Sequence, residues 1–457
     1  MGFRDLVLFY VVTGISLRWI ATAASVGPSS IAVWMGAWLL FYLPLALSVI
    51  ELSSRYPSEG GMYVWASEAF GDGPGFLAGW LYWSSNLPYF PTVLYFAASN
   101  ILFLRADWRG QSHNQTYFLW FSIAAMTVLT VVNLVGLNVA KWTYNVGALG
   151  MWIAVAMVVV LGIAVWARFG SATAFSVKTL TPTFELKSAM LWATLVFALG
   201  GCEAAAFLGG EIKDARRTLP RGLLIAGVTV AFCYIMGTFF VLLALPSHET
   251  SILDGVIQAI ERSASRLGIP GVTSTAAILI AVSNIGAAAA FLAAAARLPF
   301  VAGMEGLLPK AFGKIHPKWK TPWVAVLSQG VFGVLFVFIG QAGTTVHGAY
   351  QVMVDISVIT YMLPYLFVFA SLIRVQKMPA EVGVLRVPGG KTVARFVAMI
   401  GFATATLAIV LSLIPPVGDA HPWLAVAKIV GSSLLMVGVG LGLYWLGKRK
   451  TLQTAKS

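Results

Sequence analysis

The feature that most constrains this chain is a succession of long apolar segments separated by short polar ones. A helix that crosses the hydrocarbon core of a bilayer needs about 20 mostly apolar residues, and twelve segments meet that requirement. They lie near residues 6–29, 31–54, 73–103, 117–137, 143–167, 188–209, 221–245, 271–297, 322–341, 347–373, 393–415 and 422–446. The pattern predicts an all-α integral membrane protein with twelve transmembrane helices.

The composition and the placement of charge agree with this prediction. Hydrophobic residues make up 59% of the chain and charged residues 10%, whereas soluble domains carry about 25% charged residues. Of the 30 lysines and arginines, 21 lie at the termini and in the loops after even-numbered segments, and 7 lie on the other side. Because cytoplasmic loops are enriched in these residues, we expect a multi-pass protein of the plasma (inner) membrane with both termini in the cytoplasm. The net charge of +13 therefore needs no nucleic-acid partner.

The residues that membrane-bound enzymes use for catalysis are missing from the sequence. No GxxxxGK[ST] phosphate-binding loop, GxSxG elbow or HExxH motif occurs. The five histidines are scattered, and no two have metal-ligand spacing on a helix. Cys202 and Cys233 lie in separate apolar stretches. We expect neither an enzyme, nor a metal site, nor a cofactor.

Two of the predicted helices are interrupted by glycine and polar residues near the middle of the bilayer. The first contains Thr-Gly-Ile-Ser-Leu-Arg at residues 13–18, and the sixth contains Ala-Leu-Gly-Gly-Cys-Glu at residues 198–203. Paired interruptions in corresponding helices of two halves point to a transport site at the midplane, where the freed N–H groups attract a carboxylate. The simpler alternative is that the glycines only permit close helix packing.

Several motifs, in order along most of the chain, resemble those of the amino acid–polyamine–organocation transporter superfamily. The stretch from Glu51 to Trp65, followed by Phe70-Gly71, resembles the signature after its second helix. Phe197–Glu203 with Gly210–Asp214 and Leu219-Pro-Arg221 resembles its sixth-helix signature. The segment from Arg297 to Pro322 resembles the stretch after its eighth helix, and Arg386–Gly390 the loop before its eleventh. The chain is identified as a member on these motifs.

The resemblance implies the leucine-transporter fold, which is a five-plus-five inverted repeat with broken helices 1 and 6 and two further helices. The repeats would occupy residues 1–168 and 169–374, with helices 11 and 12 and a short cytoplasmic tail in 375–457. It also implies secondary transport of an amino acid or amine by alternating access. The residues expected to bind this substrate are Thr13, Gly14, Ile15, Ser16, Phe197, Ala198, Leu199, Gly200 and Gly201.

Three ionisable residues within the predicted helices, Arg18, Glu203 and Asp355, are candidate functional groups, since charge inside the membrane is costly and usually functional. Arg18 departs from the family pattern, in which apolar residues follow the first break. We predict that Arg18 pairs with Asp355 when the outer side is closed; alternatively, Arg18 binds a substrate carboxylate directly, or the pairing is only structural. Glu203 is expected to couple a proton to the conformational change, or else to accept hydrogen bonds from freed amides and hold the break open.

Other polar residues carry weaker predictions. Asn86, Tyr89 and Phe90 in the third segment, together with Ser283 and Asn284 in the eighth, could line the cavity or satisfy neighbouring backbone groups. The third segment is long enough to be tilted, or broken at Pro88 and Pro91. Glu51 and Arg55 are expected to form a structural i,i+4 ion pair.

Sodium coupling is not expected. Sodium-coupled members of this fold bind the ion between the first helix and hydroxyl oxygens late in the eighth, but residues 286–296 contain no serine or threonine here. A hard cation needs oxygen ligands. The fifth segment, 143–167, also lacks the lysine of the family's proton device. With sodium disfavoured, proton-coupled symport or exchange of an amino acid is expected, and the missing lysine leaves Glu203 as the main candidate for the proton-linked group. Transport of a polyamine or organic amine remains an alternative, and a non-transporting membrane sensor is a weaker one because both tails are short.

Overall fold

The computed structural model describes residues 14–57, 60–183, 185–204, 215–296, 298–299, 308–379, 383–415 and 421–454. In this part of the chain the regular structure is entirely helical. The α-helices, numbered in chain order, are α1 Leu17–Val26, α2 Ser29–Ala37, α3 Leu43–Arg55, α4 Met62–Phe70, α5 Asp72–Ser84, α6 Asn86–Ile101, α7 Gln115–Val135, α8 Leu137–Phe169, α9 Val177–Leu180, α10 Leu186–Ala198, α11 Ala215–Ala244, α12 Gly255–Arg266, α13 Gly271–Ala295, α14 Trp323–Gln341, α15 Val346–Val375, α16 Gly390–Leu411 and α17 Pro422–Thr454.

Within the described residues, ten helical stretches are long and apolar enough to cross a membrane, and Ser188–Ala204 is a shorter apolar one. These eleven coincide with the predicted segments from the second to the twelfth. The first predicted segment lies partly outside the described residues and continues as α1. The prediction of an all-helical membrane protein is confirmed. A five-residue π-helical turn, Trp38–Tyr42, joins α2 to α3, so that Ser29–Arg55 forms one stretch long and apolar enough to cross the bilayer.

The third predicted segment is interrupted, one turn earlier than its prolines suggested. Helix α5 ends at Ser84, and α6 begins at Asn86 with Pro91 inside it. Proline lacks an N–H group and crowds the carbonyl four residues before it, so Pro88 disturbs the chain at Ser84 rather than at its own position. The side chains of Ser85 and Asn86 fold back to the carbonyl oxygen of Tyr82, at 2.7 and 2.9 Å. Both side chains are thereby placed at the centre of the bundle.

The ion pair predicted at the end of the second segment is confirmed. Arg55 Nη2 lies 2.9 Å from Glu51 Oε1, and this carboxylate is fully buried. It also accepts hydrogen bonds from Gln376 Nε2 at 2.8 Å and from the backbone N–H of Val387 at 2.9 Å. The carboxylate thus joins α3 to the end of α15 and to the segment before α16. Because the protein itself supplies all of these partners, the buried carboxylate needs no bound ligand to balance its charge.

Candidate functional site

In the described part of the first segment the backbone is non-helical where the interruption was predicted, and a side chain from a distant helix satisfies its polar groups. Ile15 and Ser16 are not helical, and α1 begins at Leu17. The hydroxyl of Tyr234, on α11, donates to the carbonyl oxygen of Gly14 at 2.7 Å and accepts from the N–H of Ser16 at 3.1 Å. The ring of Tyr234 stacks on Trp34, with centroids 4.4 Å apart, which fixes the position of the hydroxyl.

The interruption predicted in the sixth segment is also present. Helix α10 ends at Ala198, and Gly201 adopts a φ of +109°, a region that side-chain-bearing residues rarely enter. The N–H of Gly201 lies 3.1 Å both from Glu203 Oε2 and from the hydroxyl of Tyr365. A Cβ atom on Gly200 would lie 2.5 Å from the Tyr361 ring. Glycine is therefore required at position 201 for its backbone angle and at position 200 for lack of space.

Glu203 hydrogen-bonds the backbone of the second interruption and is not among the residues that line the cavity described below. The residue is fully buried, and its Oε1 accepts a hydrogen bond from the hydroxyl of Tyr361 at 2.9 Å. The hydroxyl of Tyr82 also hydrogen-bonds to Glu203. With Gly201 on the other oxygen, the carboxyl group is surrounded by donors, which is the arrangement of a buried polar group that supports the backbone.

The two interruptions meet at one cavity of about 80 Å³. Of the residues predicted to bind substrate or to act beside it, those lining the cavity are Gly14, Ile15, Ser16, Arg18, Phe197, Ala198 and Gly200. Leu199, Gly201, Glu203 and Asp355 are not among its lining residues. Thr13 lies outside the described residues. The N-terminal end of α1 and the C-terminal end of α10 therefore both face the same space, with opposite helix-dipole signs.

The neighbouring helices complete the wall much as the sequence suggested. Asn86, Tyr89, Ser283 and Asn284 line the cavity. Phe90 does not: it is fully buried in a separate apolar cluster with Leu94 and Met126, because successive residues on a helix point about 100° apart and Tyr89 takes the inward position. Ser283 and Asn284 also hydrogen-bond the carbonyl oxygen of Ile280 on their own helix, at 2.8 and 2.7 Å.

Several lining residues were not predicted, namely Leu17, Trp19, Ser85, Met151, Tyr234, Ala287, Phe291 and Tyr361. The rings of Trp19 and Tyr361 each pack edge-on against Phe197, with centroids 5.4 and 5.3 Å away. A signal for the two tyrosines exists in the sequence, since both interrupt apolar helices near mid-membrane and a buried tyrosine hydroxyl usually needs a partner. Only the tertiary structure shows that these partners are the two interruptions.

Arg18 lies beside the first interruption and is 2% exposed. Its Nη1 donates to the hydroxyl of Thr92. The guanidinium carbon lies 4.2 Å from the ring centroid of Trp19 and 4.7 Å from that of Tyr89. Within the described part of the chain, Arg18 and Asp355 form no ion pair in this conformation. The predicted gate therefore stays a prediction about another conformation.

The comparisons with known proteins agree with this geometry. The family model described as amino acid permease matches residues 2–436. The chain therefore belongs to the amino acid permease family of the amino acid–polyamine–organocation superfamily; it is a multi-pass membrane transporter, not an enzyme.

Relatives that align with most of the chain include the following three. It is 28% identical to an uncharacterised transporter of Legionella pneumophila, over 98% of this chain and 96% of the relative. It is 24% identical to a probable agmatine/putrescine antiporter of Lactococcus lactis, over 79% and 76%. It is also 24% identical to a glutamate/gamma-aminobutyrate antiporter of the same species, over 84% and 77%. Relatives of this kind move amino acids or polyamines, so the family alone leaves both substrate classes open.

Proposed function

We propose that this protein is a secondary active transporter that moves an amino acid across the plasma (inner) membrane by alternating access. The observation that carries the proposal is the meeting of two interrupted helices at one buried cavity. Interrupted helices expose polar backbone groups inside a bilayer, where they are tolerated only if they are buried in protein or line a site. The family membership and the names of the antiporter relatives support the same function.

The architecture that fits this function has twelve transmembrane helices, in which residues 1–168 and 169–374 form two inverted repeats and 375–457 contain the last two helices. Both termini would be cytoplasmic, as the lysine and arginine distribution favours. Eleven of the twelve helices correspond to the stretches described above. The two interruptions fall in the first and sixth helices, which are equivalent positions in such repeats.

The cavity suggests how an amino acid would be oriented. The N-terminal end of α1, at Leu17, carries the positive end of a helix dipole and suits the substrate carboxylate. The C-terminal end of α10, at Ala198, carries the negative end and suits the substrate ammonium group. Phe197, held between Trp19 and Tyr361, would pack on the substrate side chain. Binding through helix ends keeps the main contacts independent of that side chain.

Transport would be sodium-independent and coupled to protons or to exchange. In the later part of α13, where the sodium-coupled members of this fold supply hydroxyl ligands, the residues that line the cavity are Ala287 and Phe291, and neither side chain offers an oxygen ligand to a hard cation. Glu203 is the proposed proton-linked group; its alternative role is the structural one of holding the second interruption.

Asp355 would act in the outer gate through Arg18, and non-additive effects of Arg18→Ala and Asp355→Ala in a double-mutant cycle would support that pairing.

The proposal is tested by reconstituting the purified full-length chain into proteoliposomes. Radiolabelled amino acids and putrescine are offered outside, with and without unlabelled substrate inside. Saturable uptake of an amino acid that internal substrate accelerates supports the transporter. Uptake of putrescine alone supports the polyamine alternative, which the agmatine/putrescine antiporter relative favours. Binding without turnover for every compound would instead support a membrane sensor.

A further inference from the structure

The buried charge of Arg18 points to a narrower substrate class than the family does. A guanidinium cannot neutralise itself by losing a proton in a protein, and a charge inside a membrane protein normally has an oppositely charged partner. Among the described residues, Arg18 has none: Thr92 accepts from Nη1, two aromatic rings flank the guanidinium group, and Nε has no hydrogen-bond partner although it is buried.

The two acidic residues in nearby helices do not balance this charge. Glu203 binds the N–H of Gly201 and the hydroxyl of Tyr361 and lies outside the cavity wall. Asp355 lies on α15, is buried and is not among the residues that line the cavity. In this conformation neither carboxylate forms an ion pair with Arg18 in the described part of the chain.

The remaining polar groups of the described cavity wall are neutral. They are the hydroxyls of serines and tyrosines and the amides of Asn86 and Asn284. The described cavity wall therefore carries one uncompensated positive charge in surroundings of low dielectric constant, where like charges repel strongly. A polyamine would add positive charge beside Arg18. A zwitterionic amino acid would leave the total charge at plus one, and a substrate with one net negative charge would bring it to zero.

We propose that Arg18 is the counter-ion of a second carboxylate on the substrate, and that the protein selects acidic amino acids over neutral amino acids and polyamines. This inference rests on the transport function proposed above. One substrate carboxylate binds at the N-terminal end of α1, and the other forms charge-assisted hydrogen bonds with guanidinium N–H groups that Thr92 does not take. The rings of Trp19 and Tyr89, whose centroids lie 4.2 and 4.7 Å from the guanidinium carbon, restrict its position for this contact.

The test compares uptake of labelled glutamate, serine and putrescine into proteoliposomes by the wild-type protein and by Arg18→Lys, Arg18→Gln and Arg105→Gln. The wild type is expected to take up glutamate at least tenfold faster than serine or putrescine. Arg18→Gln should lower glutamate uptake about 100-fold and reduce the preference over serine to below threefold. Arg18→Lys should retain part of the preference, because it keeps the charge but loses the planar fork. Arg105, 63% exposed at its side chain, serves as the matched surface control and should behave as wild type.

A second measurement needs no variant and so does not depend on how well Arg18→Gln folds. Glutamate should raise the thermal unfolding temperature of the wild-type protein in detergent, while putrescine and serine at equal concentration should not. Preferential uptake or stabilisation by putrescine or serine would overturn the inference and leave the transporter function standing. Dependence of uptake on external chloride would also overturn it, since an inorganic anion would then balance Arg18. No uptake of any of the three compounds, with no stabilisation, would count against the proposed function itself.

Discussion

The two interrupted helices serve the same cavity but are stabilised in different ways. At the first, a neutral hydroxyl from α11, that of Tyr234, satisfies one carbonyl and one N–H group. At the second, the N–H of Gly201 is taken by the carboxylate of Glu203, two residues further on, and by Tyr365. The two interruptions also differ in charge: Arg18, beside the first, lines the cavity, whereas Glu203, at the second, does not.

This difference assigns the two ends of the cavity different chemical characters. The α1 end combines the positive pole of a helix with a guanidinium group that lacks a carboxylate partner in the described structure, and it is suited to anions. The α10 end presents the negative pole of its helix, with the nearby acid already hydrogen-bonded. Because the protein already supplies hydrogen-bond donors to Glu203, we expect its substitution by a residue of similar shape to have a small effect. Because Arg18 has no counter-ion in the described structure, we expect its charge to be balanced by the substrate. The predictions below test this contrast, starting with the largest expected effect.

Gly200→Ala should abolish transport, with uptake falling at least 50-fold. Its new Cβ would lie 2.5 Å from the Tyr361 ring and 2.9 Å from the Tyr365 hydroxyl, so both tyrosines that support the second interruption would have to move. Gly14→Ala is the counterpart at the first interruption, where the nearest atom is a methyl carbon of Val230 at 3.1 Å; a loss of less than fivefold is expected there. Initial uptake rates per reconstituted protein measure both, and similar losses would show that the two interruptions are equally tight.

Tyr234→Phe should lower uptake about tenfold and reduce the unfolding temperature. The change leaves the N–H of Ser16 and the carbonyl of Gly14 without their shared partner, and each buried unsatisfied group costs about 1–3 kcal/mol. Tyr444→Phe, at a partly exposed ring that packs on Phe76, removes the same hydroxyl far from the cavity and serves as control. Unchanged uptake in Tyr234→Phe would mean that water or substrate closes the first interruption equally well.

Glu203→Gln should change the pH dependence of uptake more than its maximum rate. The amide keeps the shape and can still accept from the N–H of Gly201, but it cannot exchange a proton as the carboxyl group does. We expect uptake within about threefold of wild type at the best pH and a flat profile between pH 5 and 8, with Glu68→Gln, at an exposed position, as control. A profile that keeps its wild-type shape would leave Glu203 with its structural role alone.

Replacing sodium by choline should alter uptake by less than twofold. The part of α13 that would supply hydroxyl ligands is rich in alanine. It is also closely packed: a Cβ on Gly286 would lie 2.6 Å from the carbonyl oxygen of Thr143. A several-fold loss of uptake in choline would require an ion site elsewhere in the protein. Uptake driven by an imposed proton gradient at constant osmolarity is the companion measurement.

The sequence predicted the interruptions well because their cause is local. Glycine and serine in the middle of an apolar helix weaken it wherever they occur, so the positions 14–16 and 199–203 could be read without tertiary information. The same holds for the ion pair of Glu51 and Arg55, whose spacing of four residues brings the side chains together on any helix. The gate between Arg18 and Asp355 stays a prediction, because whether these side chains can meet depends on the rotation of α15 about its axis, which no local pattern specifies.

By itself, then, the sequence determined the helical membrane class, the family, the placement of most helices and the two glycine-rich interruptions. These follow from hydropathy, charge placement and backbone preference, which act over a few residues. The tertiary structure decided what faces what: Tyr234 against the first interruption, Tyr361 and Tyr365 against the second, and Arg18 beside the cavity with Thr92 rather than a carboxylate. Such contacts join residues that are 74 to 220 positions apart, and they are selected by the packing of whole helices rather than by any local preference.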